Sequence, residues 1–358
     1  MRYAATIFAI ALVCATSAFS SGAMGDAVGM TGAASADGNA AGNAAGGVVS
    51  AESTGDVPEV SGADSSFRFS HDNVFTVMGV VMTHHALRNS ETLHNWPFFA
   101  VAAPAVSTTY KFEKDFGKTL TVKGDAMGSL TFMNTGVTAG VDLLLIHLLE
   151  LGVHGAISSA WNYGETSTFM GVYDSEERNF DEDIFLTEAS FSVIYKSSIT
   201  IPLLAFLPKS NWTKIILKFS GSLENSVYTG ADDGELWRAG ADARVNGYRG
   251  ELGASIMYML PFKHFHMAML TGKVSGFLHD GDFDEEFQDY DPDFKIFNIT
   301  PMLMFKINEK WSGMAMAPIV RERKLSKSKY EAGEEYMLKR VGSQWRMNVL
   351  MCMFNRKF

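Results

Sequence analysis

Residues 119–133 read TLTVKGDAMGSLTFM, and apolar and polar side chains alternate along them. One face begins with Leu120 and Val122, whereas the other carries Lys123 and Asp125. Side chains of a β-strand point alternately to opposite sides, so a period of two residues indicates a strand with one apolar face. Such a strand can present its apolar face to lipid and its polar face to water.

The same alternation recurs along the chain after residue 67, most clearly at 214–228 and 248–259. The second segment begins with Tyr248 and ends near Tyr258, about the span of a tilted transmembrane strand. We predict strands that start near residues 73, 99, 119, 137, 153, 184, 213, 246, 264, 294, 311 and 339. Residues 67–358 are therefore predicted to form an all-β domain, an antiparallel transmembrane up-and-down β-barrel of about 12 strands.

The connections between these strands alternate in length, as expected for a barrel with both termini in the periplasm. The connections after odd-numbered strands are long and polar: 84–97, 163–183, 229–245, 279–293 and 323–337. Two connections depart from this rule. Asn134–Gly136 would be a very short outer loop, and Ser198–Trp212 would be a long periplasmic one.

The N-terminal part of the chain predicts export. Arg2 precedes an apolar run from Ala4 to Cys14, so residues 1–23 are interpreted as a signal peptide with cleavage after Ala18 or Ala23, and Val13-Cys14-Ala15 is a third possible cleavage site. Lipidation of Cys14 is an alternative. Residues 24–66 are rich in Gly, Ala and Ser and contain no aromatic residue, which predicts a flexible linker. We expect the barrel in the outer membrane.

Composition argues against a nucleic-acid partner and against an intrachain disulfide. The net charge of −10 argues against a nucleic-acid partner, because phosphates select for basic surfaces. Once the signal peptide is removed, Cys352 is the one cysteine left, so no intrachain disulfide can form.

Charged residues of both signs occur on the polar faces of the predicted strands. They are Lys123, Asp125, Glu188, Lys196, Lys218, Glu224, Arg249, Glu251, Lys273 and Arg346. Because buried charges need partners, these residues are expected either to form ion-pair ladders across strands or to line a narrow aqueous pore.

The acidic segment 279–293 contains a candidate metal site. Asp280, Asp282 and Asp284 have the alternate spacing that begins a calcium-binding loop, although the sixth position is Glu285 rather than glycine. The simpler interpretation is a solvated acidic loop. The alternative is a loop that binds a divalent cation such as Ca²⁺. His84, His85 and His94 are a further candidate without recognised ligand spacing.

No catalytic constellation is apparent. The chain has neither a G-x-S-x-G elbow nor an H-E-x-x-H pair, so no enzymatic role and no cofactor are expected. The tryptophans are predicted to anchor strand ends at the membrane interface. In the last strand Met347, Val349, Met351 and Met353 are assigned to the apolar face, which leaves Phe358 on the opposite parity unless a bulge intervenes.

Three short segments resemble outer-membrane barrel proteins of spirochaetes and similar Gram-negative bacteria, mostly known as surface proteins. They are Gly155–Asn162 at a strand end, Leu207–Trp212 at a turn and Lys306–Lys310 at a late hairpin. The resemblance covers roughly residues 67–358 and implies a barrel in the outer membrane. It carries over no catalytic or binding residue.

The function expected from these features is a narrow porin-like channel for passive diffusion of small solutes. The first alternative is a closed barrel that acts as a surface scaffold or adhesin through its acidic outer loops, and a weaker one is a soluble secreted β-barrel or sandwich. Outer-membrane lipid and the barrel assembly machinery are the expected partners, and nothing in the sequence indicates an oligomeric state.

Overall fold

The computed structural model describes the following parts of the chain: residues 67–83, 98–117, 119–131, 134–146, 148–161, 170–174, 179–180, 185–208, 210, 214–239, 242–279, 283–326, 339–347 and 349–357. The predicted signal peptide at 1–23 and the predicted linker at 24–66 lie outside these ranges, so both remain predictions. None of the described residues belongs to a helix long and apolar enough to cross a membrane.

The first half of the chain forms nine strands. They are β1 (Arg68–Thr83), β2 (Phe98–Phe116), β3 (Leu120–Thr131), β4 (Asn134–Leu145), β5 (Leu149–Trp161), β6 (Met170–Asp174), β7 (Asn179–Phe180), β8 (Phe185–Pro202) and β9 (Ile215–Tyr228). A short 3₁₀ turn, Leu203–Ala205, follows β8.

The second half forms nine more. They are β10 (Trp237–Ala239), β11 (Asp242–Arg244), β12 (Gly247–Met259), β13 (Phe265–Phe277), β14 (Ile296–Lys306), β15 (Trp311–Met316), β16 (Ile319–Leu325), β17 (Arg340–Arg346) and β18 (Val349–Lys357). A 3₁₀ helix, Glu285–Tyr290, lies between β13 and β14.

Fourteen of these strands form one antiparallel sheet that closes on itself, because β1 pairs with both β2 and β18 and β13 pairs with β14. β15 and β16 are two pieces of a single barrel strand, as are β17 and β18. The result is a closed barrel of twelve antiparallel strands, which confirms the predicted fold class. Closure leaves the sheet without an edge.

The predicted strand starts agree with the structure. The largest difference is at the first strand, which was predicted from residue 73 and begins at Arg68. The prediction of a turn at Asn134–Gly136 is wrong: these residues already belong to β4, where Thr135 pairs with Leu130 and Gly136 with Ser129. The link between β3 and β4 is therefore residues 132–133.

In the final barrel strand, the alternation of lumen-facing and lipid-facing residues shifts by one position at the break between β17 and β18. Arg346 pairs with Val320, whose side of the sheet is the barrel interior, whereas Met351 and Met353 pair with the interior residues Met316 and Met314. An extra residue at 347–348 therefore shifts the alternation between β17 and β18. The assignment of Met351 and Met353 to the lipid-facing side is wrong, and the even-numbered residues of β18 take that side instead.

The two ends of the barrel differ. At one end, the short-turn end, the strands are joined by residues 117–119, 146–148, 203–214, 260–264 and 307–310. At the other end, the long-loop end, they are joined by residues 84–97, 162–184, 229–246, 278–295 and 326–339, and by the short link 132–133. β6, β7, β10 and β11 lie in two of the long connections. They form a second antiparallel sheet in the order β11-β10-β6-β7.

Candidate functional site

The outside of the barrel is apolar. Large hydrophobic side chains are exposed at alternate positions, for example Leu252 and Ile256 on β12 and Val137 and Val141 on β4. Residues of the other parity face the lumen and include most charged residues of the strands, whereas Lys114, Arg321 and Arg356 have the outer parity. A barrel with an apolar outer face and a polar interior is the arrangement that lipid requires of a membrane-spanning sheet.

A charged cluster lies on the lumen wall formed by β3, β4 and β5. Nε2 of His154 is 2.8 Å from Oδ1 of Asp142, and Nδ1 of His154 is 3.9 Å from Oδ1 of Asp125. Lys111 pairs in register with Asp125 across β2 and β3. One imidazole nitrogen and two carboxylate oxygens lie within 4.8 Å of one another, which is a donor set that transition metals accept.

Glycines provide the space for this cluster. A Cβ atom on Gly140 would lie 2.1 Å from Nδ1 of His154, and a Cβ atom on Gly152 would lie 1.9 Å from Oδ1 of Asp142. Both side chains therefore lie flat across the neighbouring strand. Any larger residue at either glycine would displace the imidazole or the carboxylate from its partner.

Ion pairs follow the opposite wall of the lumen. Nζ of Lys273 is 3.0 Å from Oε1 of Glu251, across β13 and β12. Nε of Arg346 is 3.0 Å from Oε1 of Glu322, across β17 and β16. The prediction that interior charges pair across strands is confirmed at these positions.

Methionines fill the next part of this wall towards the short-turn end. They occupy two neighbouring lumen-facing positions on each of five adjacent strands: Met257 and Met259, Met267 and Met269, Met302 and Met304, Met314 and Met316, Met351 and Met353. We call these ten residues the methionine tract. Six of them are buried: Met269, Met304, Met314, Met316, Met351 and Met353.

The sequence reasoning missed both the histidine and the methionines. Strand register places His154 opposite Gly140 and diagonal to Asp142, which composition does not reveal. The methionine tract did leave a signal, because Met-x-Met occurs once in each of five successive barrel strands. That signal was lost because methionine was counted with the lipid-facing apolar residues.

A packed cap covers part of the long-loop end. Its apolar core contains Tyr173, Leu236, Ala243, Val245, Phe277, Phe283, Phe287 and Tyr290. The ring of Trp237 on β10 stacks on Tyr228 at the end of β9, with 5.1 Å between centroids. Nη1 of Arg244 on β11 is 3.0 Å from Oε1 of the lumen residue Glu224. The cap is therefore joined to the lumen wall by stacking and by charge.

The acidic segment 279–293 contributes to this cap, unlike a fully solvated loop. Phe283, Phe287 and Tyr290 are buried in the apolar core, whereas Asp289 pairs with Lys339 at 2.8 Å. Aromatic residues interleaved with carboxylates place one face of the segment against protein and leave the other in water.

The metal site predicted in this segment is untested. Asp280 and Asp282 lie outside the described residues, and Asp284 is exposed at the start of the 3₁₀ helix beside Gly234. His84, His85 and His94 also lie outside the described residues.

The tryptophan prediction holds only in part. Trp345 on β17 is exposed on the apolar outer face, whereas Trp237 is buried in the cap rather than placed at an interface. Trp96 and Trp212 lie outside the described residues.

No protein-family model matches the chain, and no curated protein matches its sequence. Solved structures do match its shape. An outer-membrane channel from Pseudomonas putida F1 is 10% identical, covers 84% of this chain and 100% of its own, and superposes with a TM-score of 0.41. An anion-selective porin from Comamonas acidovorans is 8% identical with coverage of 82% and 99% and a TM-score of 0.33.

The translocator domain of an autotransporter from Neisseria meningitidis is also similar, at 9% identity, 84% and 90% coverage and a TM-score of 0.35. Similarity at this level concerns barrel architecture and not function. The closed sheet and its apolar outer face give this chain the architecture of an outer-membrane β-barrel protein.

Proposed function

We propose that this protein is a narrow outer-membrane channel for passive diffusion of small solutes. The observation that supports the proposal is that charged side chains inside the barrel are accessible to water. Accessibility of the side chain is 31% for Asp125, 30% for Glu251 and 18% for Lys273.

A dry interior would not tolerate these groups. Moving an ionised carboxylate or ammonium group out of water costs roughly several kcal/mol per ion. An ion-pair partner offsets this desolvation cost only when the geometry is good. The accessible fractions imply that water reaches the lumen beside both walls. An aqueous lumen with charges of both signs supports a pore with a transverse field better than a barrel packed solid.

The channel is narrow for two reasons. The cap narrows the long-loop end, and the buried part of the methionine tract narrows the other half of the lumen. Barrels of about 8 strands are filled and those of about 16 or more hold wide channels, so a twelve-stranded barrel with both obstructions suits small solutes.

The cap also favours a second candidate function, which is a closed barrel that serves as a surface scaffold or adhesin. The ordered sheet of β6, β7, β10 and β11 and its apolar core would then present a fixed surface. In either case the long-loop end faces the outside, and outer-membrane lipid and the barrel assembly machinery are the proposed partners.

Planar bilayer recording distinguishes the two functions. The folded protein, shown by faster migration of the unheated form on a denaturing gel, is added to a lipid bilayer. A channel gives discrete conductance steps that disappear when the sample is boiled first. A folded preparation that gives no steps over repeated insertions refutes the channel and leaves the scaffold.

A further inference from the structure

The methionine tract consists of two complete rows. In the first, Met257, Met269, Met302, Met316 and Met351 are directly opposite one another from strand to strand. In the second, Met259, Met267, Met304, Met314 and Met353 are opposite in the same way. All ten positions are methionine in a chain that has 20 methionines among 358 residues. Composition does not account for such a grid.

Methionine is also sorted by face. The ten methionines of the tract and Met127 on β3 face the lumen, whereas Met347, at the break between β17 and β18, is exposed and continues the parity of the outward-facing Trp345. The large hydrophobic side chains exposed on the outer face within the described barrel strands are Leu, Ile, Val, Phe, Tyr and Trp. If apolarity were the only requirement, methionine would not be concentrated on the lumen face. The lumen-facing positions therefore favour a property that methionine has and leucine lacks.

The thioether sulfur is such a property, because it is a soft ligand that selects Cu(I) over hard cations. Opposite residues of an antiparallel pair have Cβ atoms about 5 Å apart, and the unbranched methionine side chain is flexible, so neighbouring sulfurs can converge. Met304 is directly opposite Met267 on one side and Met314 on the other, and it is two residues from Met302. This block offers three or more thioethers to one ion.

We propose that the methionine tract binds a soft monovalent metal ion, Cu(I) or Ag(I), inside the barrel. The burial of Met304 and Met314 excludes competing water from the sulfurs. The ten described positions of the tract themselves carry no ammonium or guanidinium group. Above the tract, Ser255 and Thr271 hydroxyls lie 3.0 Å apart, and below it the Thr76 hydroxyl donates to Oδ1 of Asn355 at 2.9 Å. Neutral polar side chains thus border the tract at these points, whereas Lys306 is the next residue of lumen-facing parity after Met304 on β14.

The test is metal binding by the folded, detergent-solubilised chain. Ag(I), which is redox-inert, is titrated calorimetrically, and Cu(I) is measured by competition with a chromophoric chelator under reducing, anaerobic conditions. All chains carry Cys352→Ala, because a free thiol binds both ions more tightly than a thioether, and the expected result is a saturable site. In the triple variant Met302→Leu/Met304→Leu/Met314→Leu, which keeps apolar volume and removes sulfur, the Kd should rise roughly tenfold or more.

Two control variants locate the site. Met127→Leu removes a lumen methionine outside the tract and should leave binding unchanged, and His154→Ala removes the imidazole of the other candidate site. Metal binding lost in His154→Ala but kept in the triple variant refutes the proposal, as does a chain with the complete tract that has no saturable site. If the triple variant does not show the folded gel mobility, Met304→Leu replaces it.

This inference is independent of the proposed channel function. A barrel that conducts ions but binds neither metal refutes the soft-metal site alone, and the tract is then a flexible packing layer. A barrel that binds Cu(I) but never conducts refutes the channel alone.

Discussion

The imidazole of His154 lies across Gly140, the residue opposite it on the neighbouring strand, and from there reaches Asp142. The contact depends on glycine, because a Cβ atom at position 140 would meet the ring at 2.1 Å. Strand pairing and side-chain chemistry are therefore coupled at this point of the lumen wall.

Gly140→Ala should displace His154 from Asp142 and destabilise the barrel by about 1–3 kcal/mol, as overpacking usually does. The measurement is the temperature at which the folded form is lost on a denaturing gel. Gly272→Ala is the matched control, because a Cβ atom there would meet nothing within 4 Å. Equal effects of the two substitutions would contradict the role assigned to Gly140.

The pair of Lys273 and Glu251 should influence which ions pass. Lys273→Gln leaves a net negative charge in the lumen and should raise the cation-to-anion permeability ratio by roughly twofold, whereas Glu251→Gln should lower it to a similar extent. Reversal potentials under a salt gradient give the ratio. The double variant restores the charge balance and should return towards the wild-type value; shifts in the same direction for both single variants would exclude a direct field effect.

Trp237→Ala should loosen the cap and leave the barrel intact. The indole is 1% exposed and stacks on Tyr228, so its loss should cost the cap about 3–5 kcal/mol. If the cap restricts the long-loop end, single-channel conductance should increase while the folded gel mobility remains. Trp345→Ala, on the exposed outer face, serves as the comparison, and unchanged conductance in Trp237→Ala would show that the cap does not restrict flow.

Cys352 should report the lipid-facing side of the last strand. A fluorophore attached to this thiol in the mature chain should be quenched by lipids that carry quenching groups on their acyl chains. The same fluorophore placed by Met353→Cys in a Cys352→Ala background should be protected, because position 353 faces the lumen. Quenching of both sites alike would mean that the face change at 347–348 is absent.

The strands could be predicted from sequence because lipid on one side and water on the other impose a period of two on every strand. The interior charges followed from the same period. The error in the last strand arose because Met351 and Met353 are apolar but face the lumen, so hydropathy assigned them to the wrong side.

The cap and the His154 cluster were beyond this reasoning for a different reason. Phe283, Phe287 and Tyr290 are embedded in carboxylates, and composition indicated a solvated loop. Asp142 and His154 are 12 residues apart in sequence and become neighbours only through the hairpin of β4 and β5. Contacts set by strand register and loop packing can be identified only from the three-dimensional structure.

The pairing of β1 with β18 joins Val74 to Lys357 and Thr76 to Asn355, which are separated by almost the whole domain. Contacts with such long sequence separation form slowly, because the entropy of closing the intervening loop must be lost first. One edge of β1 therefore remains unpaired until β18 is available to pair with it. During that interval the unpaired edge can pair with strands of other chains. Closure of the barrel therefore competes kinetically with aggregation.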